Sequence, residues 1–328
     1  MVTQVAEQIY RIPVPLPENP LKNLNAYLIQ GPRNLLVDTG FRQEACRTAL
    51  TAGLAELGVD MAHTDIFLTH LHSDHAGLAP ELLAPTSRIF ISEVDRTRLP
   101  GPGFDMDARW ASYDDLFLPH GFPAELLKEL ETANPARTLA PIPCDRYEGI
   151  AHGHRFDYGG YHFQALFTPG HTPGHMVLWE PDHGILLLGD HVLFDITPNI
   201  TIWPSYHNPL ADYLHSLEQV RKLPVKVPLP AHRTVQKGFQ QRIDEIVAHH
   251  RRRCDEALTV LAARPELTAY DLTAHMTWDI RCRGWEDFPT PQKWFAVGEA
   301  LAHLEYLMDR GEVDRRWDGQ FWRYYVTQ

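Results

Sequence analysis

The segment T-H-L-H-S-D-H places His70, His72, Asp74 and His75 within a six-residue window. Imidazole nitrogen and carboxylate oxygen are donors for divalent cations, and four of them this close suit two adjacent metal ions better than one. Histidines at i and i+2 leave a strand end on the same side, while Asp74 and His75 can curl back to a second point. Further along, His171 in TPGHTPGH, Asp190 in LLLGD and His232 in LPAH each follow an apolar, strand-like run. All seven donors thus stand where a strand gives way to a loop, the place where rigid scaffolds carry their sites. Two ions held there would lower the pKa of a shared water to about 7 and clamp the attacking and leaving oxygens. The implied reaction is hydrolysis of an ester, thioester, lactone, amide or phosphodiester by a bridging hydroxide, with Asp74 or Asp190 accepting the proton.

Positioning these residues requires strands that end at one edge. Short runs rich in Ile, Leu, Val and Tyr predict strands over 8–14, 24–30 and 34–38, a helix over 42–57, and a strand over 65–69 feeding the histidine motif. Another strand is expected at 88–92. Residues 100–147 change character, with aromatic and acidic residues broken by Pro and Gly, and read as an insertion. Trp110, Tyr113, Phe117 and Phe122 within it fit either a lid over the site or anchors for the insertion. Strands resume at 155–158, 161–167, 176–180 and 184–188, the first pair turning at Gly159-Gly160. A helix at 209–223 precedes a strand at 225–229. The pattern predicts an α+β fold, two sheets face to face with helices outside, over residues 1–238. From 239 to 328 three helices and a hairpin turning at Asp318-Gly319 suggest a small, helical, winged-helix-like C-terminal domain.

The 328 residues carry a net charge of −12, with 44% hydrophobic and 22% charged residues. This is globular composition, and the acidic balance disfavours nucleic acid as a partner. The tail repeats the argument: residues 239–328 hold 12 Lys+Arg against 15 Asp+Glu, the wrong sign for gripping a phosphate backbone. No apolar run approaches a membrane span, and the first twenty residues lack a basic-then-apolar leader. Four dispersed cysteines without a C-x-x-C pair point to a cytoplasmic setting. A small-molecule substrate is expected, and a homo-oligomer is compatible with the composition.

Asp38 in LLVDTG, H-x-H-x-D-H at 70–75, His171, Asp190 and His232 occur in an order that resembles the metallo-β-lactamase superfamily, over about Val5 to Arg233. The resemblance implies a four-layer αβ/βα sandwich. It further implies one metal held by His70, His72 and His171, a second by Asp74, His75 and His232, and Asp190 bridging them. Asp38 would lie behind the ligands and steady a ligand histidine by a hydrogen bond. Two Zn²⁺ are the expected ions, with Fe or Mn accepted by the same donors, and no organic cofactor is expected.

Departures from known branches narrow the reading. Asp190 stands where true β-lactamases usually carry Cys or Ser, and 196–203 (ITPNITIW) lacks the Lys and Tyr of glutathione-thioester hydrolases. Leu193 replaces the tyrosine of quorum-quenching lactonases. The opening and tail resemble bacterial metallo-hydrolases with a winged-helix-like end, a branch that includes an endoribonuclease. The expected function is therefore a dinuclear hydrolase of ester, thioester or lactone bonds. The alternatives are an endoribonuclease or phosphodiesterase of the same fold and a mononuclear iron sulfur dioxygenase-like enzyme.

Nineteen histidines exceed what one site uses. His175 is expected to support the His171 loop and His191 to stand behind the ligands. His249 and His250, beside Arg251–Arg253, are expected on a solvated helix face.

Overall fold

The computed structural model describes residues 1–279 and 282–327; Ile280, Arg281 and Gln328, within the expected 239–328 tail, lie outside it. The chain runs β1 (Thr3–Ala6), β2 (Ile9–Pro15), β3 (Asn23–Ile29), β4 (Asn34–Val37), α1 (Glu44–Glu56), β5 (Thr64–Phe67), α2 (Ser73–Ala76), β6 (Ile89–Ser92) and α3 (Glu93–Arg96). It continues with α4 (Met106–Phe117), α5 (Ala124–Ala133), α6 (Pro135–Thr138), β7 (Tyr147–Ile150), β8 (Arg155–Tyr158), β9 (Tyr161–Phe167), β10 (Met176–Glu180), β11 (Ile185–Gly189), α7 (Pro209–Arg221) and β12 (Val227–Pro230). Last come α8 (Phe239–Ala263), α9 (Ala269–His275), α10 (Thr290–Asp309), β13 (Val313–Trp317) and β14 (Trp322–Val326).

Strands β1 to β7 lie in chain order in one sheet, and β12-β11-β10-β9-β8 form the second. In the first sheet β1 to β4 pair antiparallel and β4 to β7 parallel. The parallel strands β4, β5 and β6 are buried at every position, as strands covered on both faces must be. In the second, β8 and β9 alternate buried and open residues and turn through Gly159-Gly160, both at positive φ. Such a two-residue turn matches the twist of the strands it joins.

Ile9, Ile29, Val37, Phe67 and Phe90 from the first sheet meet Phe156, Phe163, Met176, Leu178 and Leu187 from the second in one buried core. A charged knot ties the two sheets. Asp65 at the start of β5 is fully buried and accepts from Arg33 Nε (2.6 Å), Arg88 Nη2 (3.0 Å) and the Tyr158 hydroxyl (2.6 Å). Burial opposes its charge, but the Arg33 and Arg88 guanidiniums hold the carboxyl below the usual carboxylate range.

The chain divides into two compact units. The first comprises Met1–Phe104, Pro135–Pro198 and His215–Ile243; the second comprises Asp105–Asn134, Asn199–Leu214 and the chain from Asp244 on. The strand and helix expectations hold apart from end residues. The exceptions are β1 and β7, which are too short and polar to register as patterns, the single-turn helix α3, and the irregular segment after Pro100, which contains the 12-residue helix α4.

In the second unit Trp294 on α10 stacks on Phe117 (5.2 Å between centroids), with Tyr113 at 5.9 Å and Trp110 at 6.5 Å. Phe122 packs edge-on against Phe117 and Tyr270, so Trp110, Tyr113, Phe117 and Phe122 all anchor the segment within this unit. The expected solvated face of α8 holds at Arg251 and Arg252, which are exposed, and is corrected at His250 and Arg253, which are buried, at 1% and 6% exposure. His250 Nδ1 lies 3.1 Å from His303 Nε2, and Arg253 packs over the Trp278 ring at 4.2 Å. A run of basic and polar residues hid a stripe of one face, since each third or fourth residue of a helix returns to the same side. Among the described residues no helix is long and apolar enough to cross a membrane.

Candidate metal centre

All seven donors named from the sequence lie in the first unit, just past strand ends: His70 to His75 after β5, His171 after β9, Asp190 after β11 and His232 after β12. Their donor atoms group as His70, His72 and His171; His70, His75 and Asp190; and Asp74, His75 and His232, each set within 4.8 Å. Asp190 stands between the groups. Its Oδ2 lies 3.5 Å from His171 Nε2, while its Oδ1 lies 3.5 Å from His75 Nε2 and 3.3 Å from His232 Nε2. Asp74 Oδ2 is 3.3 Å from His232 Nε2.

The rings are held by their outward nitrogens. Asp38, in the left-handed region at φ 60°, follows β4 and accepts from the Thr69 amide (2.9 Å) and the Thr69 hydroxyl (2.9 Å). Its Oδ2 also accepts from His75 Nδ1 at 2.8 Å, which places the proton on Nδ1 and turns Nε2 inward. Because the Thr69 hydroxyl gives its proton to Asp38, it accepts from His70 Nδ1 (3.0 Å), and His70 Nε2 likewise faces in, 3.0 Å from His72 Nδ1. His232 Nδ1 donates to the Asn23 carbonyl at 2.7 Å. His175 accepts from the Asp190 amide (3.2 Å) through Nε2 and meets the Thr168 hydroxyl through Nδ1 (2.9 Å), so it supports the Asp190 backbone as well as its own loop. His191 is buried behind it, ring centroids 5.9 Å apart. Gly189 sits at φ 51° with a Cβ position that would meet His175 and Thr69, so the approach to Asp190 requires a residue without one.

Thr69, the Asn23 carbonyl and the reach of His175 to Asp190 were not legible in the sequence. Thr69 carried one signal, a hydroxyl directly before the histidine motif.

Electrostatically the cluster is arranged for cations. Burial, then the neighbouring His171 ring, lowers His72 to about 3, and burial with the surrounding rings puts His70 well below the ordinary imidazole value. Burial disfavours charge on Asp190, yet His232 and His75 outweigh it and hold the carboxyl below the usual range. Burial opposes charge on His75 and His232 as well, but Asp38 beside the first and Asp190 beside the second raise both above the ordinary imidazole value, so these two rings would each give up a proton on ligating a metal, whereas His70 and His72 are already neutral. His75 Nε2, His232 Nε2 and Asp190 Oδ1 are buried without a hydrogen-bond partner, each a cost of about 1–3 kcal/mol. Three such atoms converging on one point fit a divalent cation.

Residues 20–232 match the model of the metallo-beta-lactamase superfamily. The chain belongs to this superfamily. It is a metallo-hydrolase with the αβ/βα sandwich of that family, and residues 283–327 match the metallo-beta-lactamase-like C-terminal domain. The crystal structure of a metallo-beta-lactamase family protein from Thermus thermophilus is 33% identical, with a TM-score of 0.81 over 99% of this chain and 100% of that one. The Bacillus subtilis protein named "Probable metallo-hydrolase YqjP" is 25% identical over 95% of this chain and 96% of its own length. An Aspergillus fumigatus protein named "Atrochrysone carboxyl ACP thioesterase" is 26% identical over 74% of this chain and 60% of its own.

Proposed function

We propose that the chain is a dinuclear hydrolase acting on an ester, thioester or lactone-type bond, with zinc as the native ion. The observation that carries the reading is Asp190, one carboxylate with Oδ2 toward His171 and Oδ1 toward His75 and His232. A carboxylate placed in this way would serve two ions, with His70, His72 and His171 holding one and Asp74, His75 and His232 the other. Bound divalent ions would supply an activated water and polarise the scissile carbonyl. The chain's own residues do the rest. Asp38 fixes the tautomer of His75 directly and of His70 through Thr69, the Asn23 carbonyl fixes His232, and Asp74 and Asp190 stand as proton acceptors for the attacking water.

An acyl substrate is supported by the thioesterase among the relatives and by the acidic charge, which disfavours a polyanion. The four cysteines are free thiols, in keeping with a cytoplasmic setting. Among the described residues of 239–328, α8, α9, α10 and the hairpin β13-β14 support a winged-helix-like tail, and Asp105–Asn134 and Asn199–Leu214 join its compact unit although they lie within the expected hydrolase span of 1–238. The test is a panel of p-nitrophenyl esters, thioesters, lactones, phosphodiesters and a structured RNA, assayed with zinc and then manganese. Carboxylic ester-type bonds are expected to react fastest. RNA cleavage faster than the best ester, and abolished by His72→Ala, would show the reading to be wrong.

A further inference from the structure

Asp95, on the single-turn helix α3, belongs to no ligand set, yet it is fully buried. Its own amide is capped by Ser92 Oγ at 3.0 Å, which fixes the start of that turn. Its Oδ2 accepts two hydrogen bonds from two different loops: the Leu71 amide at 3.1 Å and the Thr172 hydroxyl at 2.7 Å. Leu71 is the residue between His70 and His72, and Thr172 follows His171. One carboxylate oxygen thus joins the backbone carrying two histidines to the residue beside the third.

The approach of the second loop is built for this contact. A Cβ on Gly174 would land on Ser92 Oγ and Asp95 Oδ1, so the TPGH loop lies against α3 only because residue 174 has no side chain. The other donor set is anchored elsewhere, His75 on Asp38 and His232 on the Asn23 carbonyl.

We infer that Asp95 is a positioning residue that holds His70, His72 and His171 together as one metal site while leaving the Asp74, His75 and His232 site to other anchors. Partners behind the ligands commonly set metal affinity by 10–100-fold. The inference rests on the dinuclear reading above and gives the first ion an anchor that the second does not share, whereas Asp38 reaches both sets, His75 directly and His70 through Thr69.

The experiment is a chelator-competition titration of the full chain with Zn²⁺, repeated with Co²⁺ so that each site's absorption is followed. Wild type, Asp95→Ala, Asp95→Asn, Thr172→Val and Thr172→Ser are compared. The wild type is expected to bind two ions. Asp95→Ala should weaken one of them by tenfold or more and leave the other within about threefold. Thr172→Val should weaken the same ion less, and Thr172→Ser, which keeps the hydroxyl, should restore it. A purely structural role would lower the melting temperature and weaken both ions alike, and that result, or two unchanged affinities, would overturn the inference. If Asp95→Ala does not fold, the Thr172 pair decides on the same readout. A wild type that binds one ion would refute the dinuclear reading, and the Thr172 pair would still report whether this clamp sets that ion's affinity.

Discussion

Both units bury histidines, and they use them in opposite ways. In the second unit His303 Nδ1 donates to the Glu299 carbonyl at 2.7 Å and its Nε2 faces His250 Nδ1 at 3.1 Å. His120 Nδ1 meets the Tyr324 hydroxyl at 2.8 Å. Those rings pass hydrogen bonds along in series, and of the His250–His303 pair only His250 Nε2 is left over. In the first unit His70, His75 and His232 each give one nitrogen to an outer partner and turn the other inward, His75 and His232 toward carboxylates and His70 toward His72. Burial of histidine therefore does not make a metal centre. What sets the candidate centre apart is a fixed outer hydrogen bond on His70, His75 and His232 combined with inner nitrogens gathered around Asp74 and Asp190.

The comparison breaks most visibly at Asp190. Asp190→Ala removes the acceptor facing both groups, so turnover is expected to fall by on the order of 10³-fold, with metal content falling too. Full activity with unchanged metal content would remove the distinction between the two kinds of buried histidine. A smaller effect is expected at the outer hydrogen bond: Asp38→Asn should weaken metal binding by about 10–100-fold, read by chelator competition, with the melting temperature of metal-free protein moving little by comparison.

In the second unit the signs reverse. His303→Leu should leave metal content and turnover unchanged and cost about 1–3 kcal/mol of stability, because His250 Nδ1 loses its acceptor. The smallest effect is its pH dependence. Burial lowers His303 to about 3 from an ordinary 6.5, so it remains neutral in the folded state while the unfolded chain takes up a proton below pH 6.5. Stability from this residue is whole above pH 6.5 and declines as the pH falls toward 3. The gap between wild type and His303→Leu in a denaturant titration should therefore shrink from pH 7 to pH 4. A constant gap would mean that His303 is charged in place.

Why the candidate site was legible and the second unit less so follows from the same contrast. His70, His72, Asp74 and His75 lie in one window, and each remaining donor directly follows an apolar run, so local pattern carried the information. His250 pairs with His303 from a helix 53 residues on, and its own neighbours Arg251–Arg253 argued for solvent. Thr69 and Asp95 act through a hydroxyl and a backbone amide, contacts that residue type alone does not announce. The aromatic run 103–122 showed the reverse failing: its composition was read correctly, but its partner Trp294 lies far along the chain.

If Asp190 organises two ions, turnover needs both of them, and elemental analysis reads that number. Protein purified without chelator, freed of loosely bound ions and measured by elemental analysis alongside ester hydrolysis, is expected to hold two divalent ions per chain. Activity should disappear on chelation and return only as the second equivalent of zinc is added back. Full hydrolytic activity at one ion per chain, or activity that survives complete removal of metal, would contradict the account.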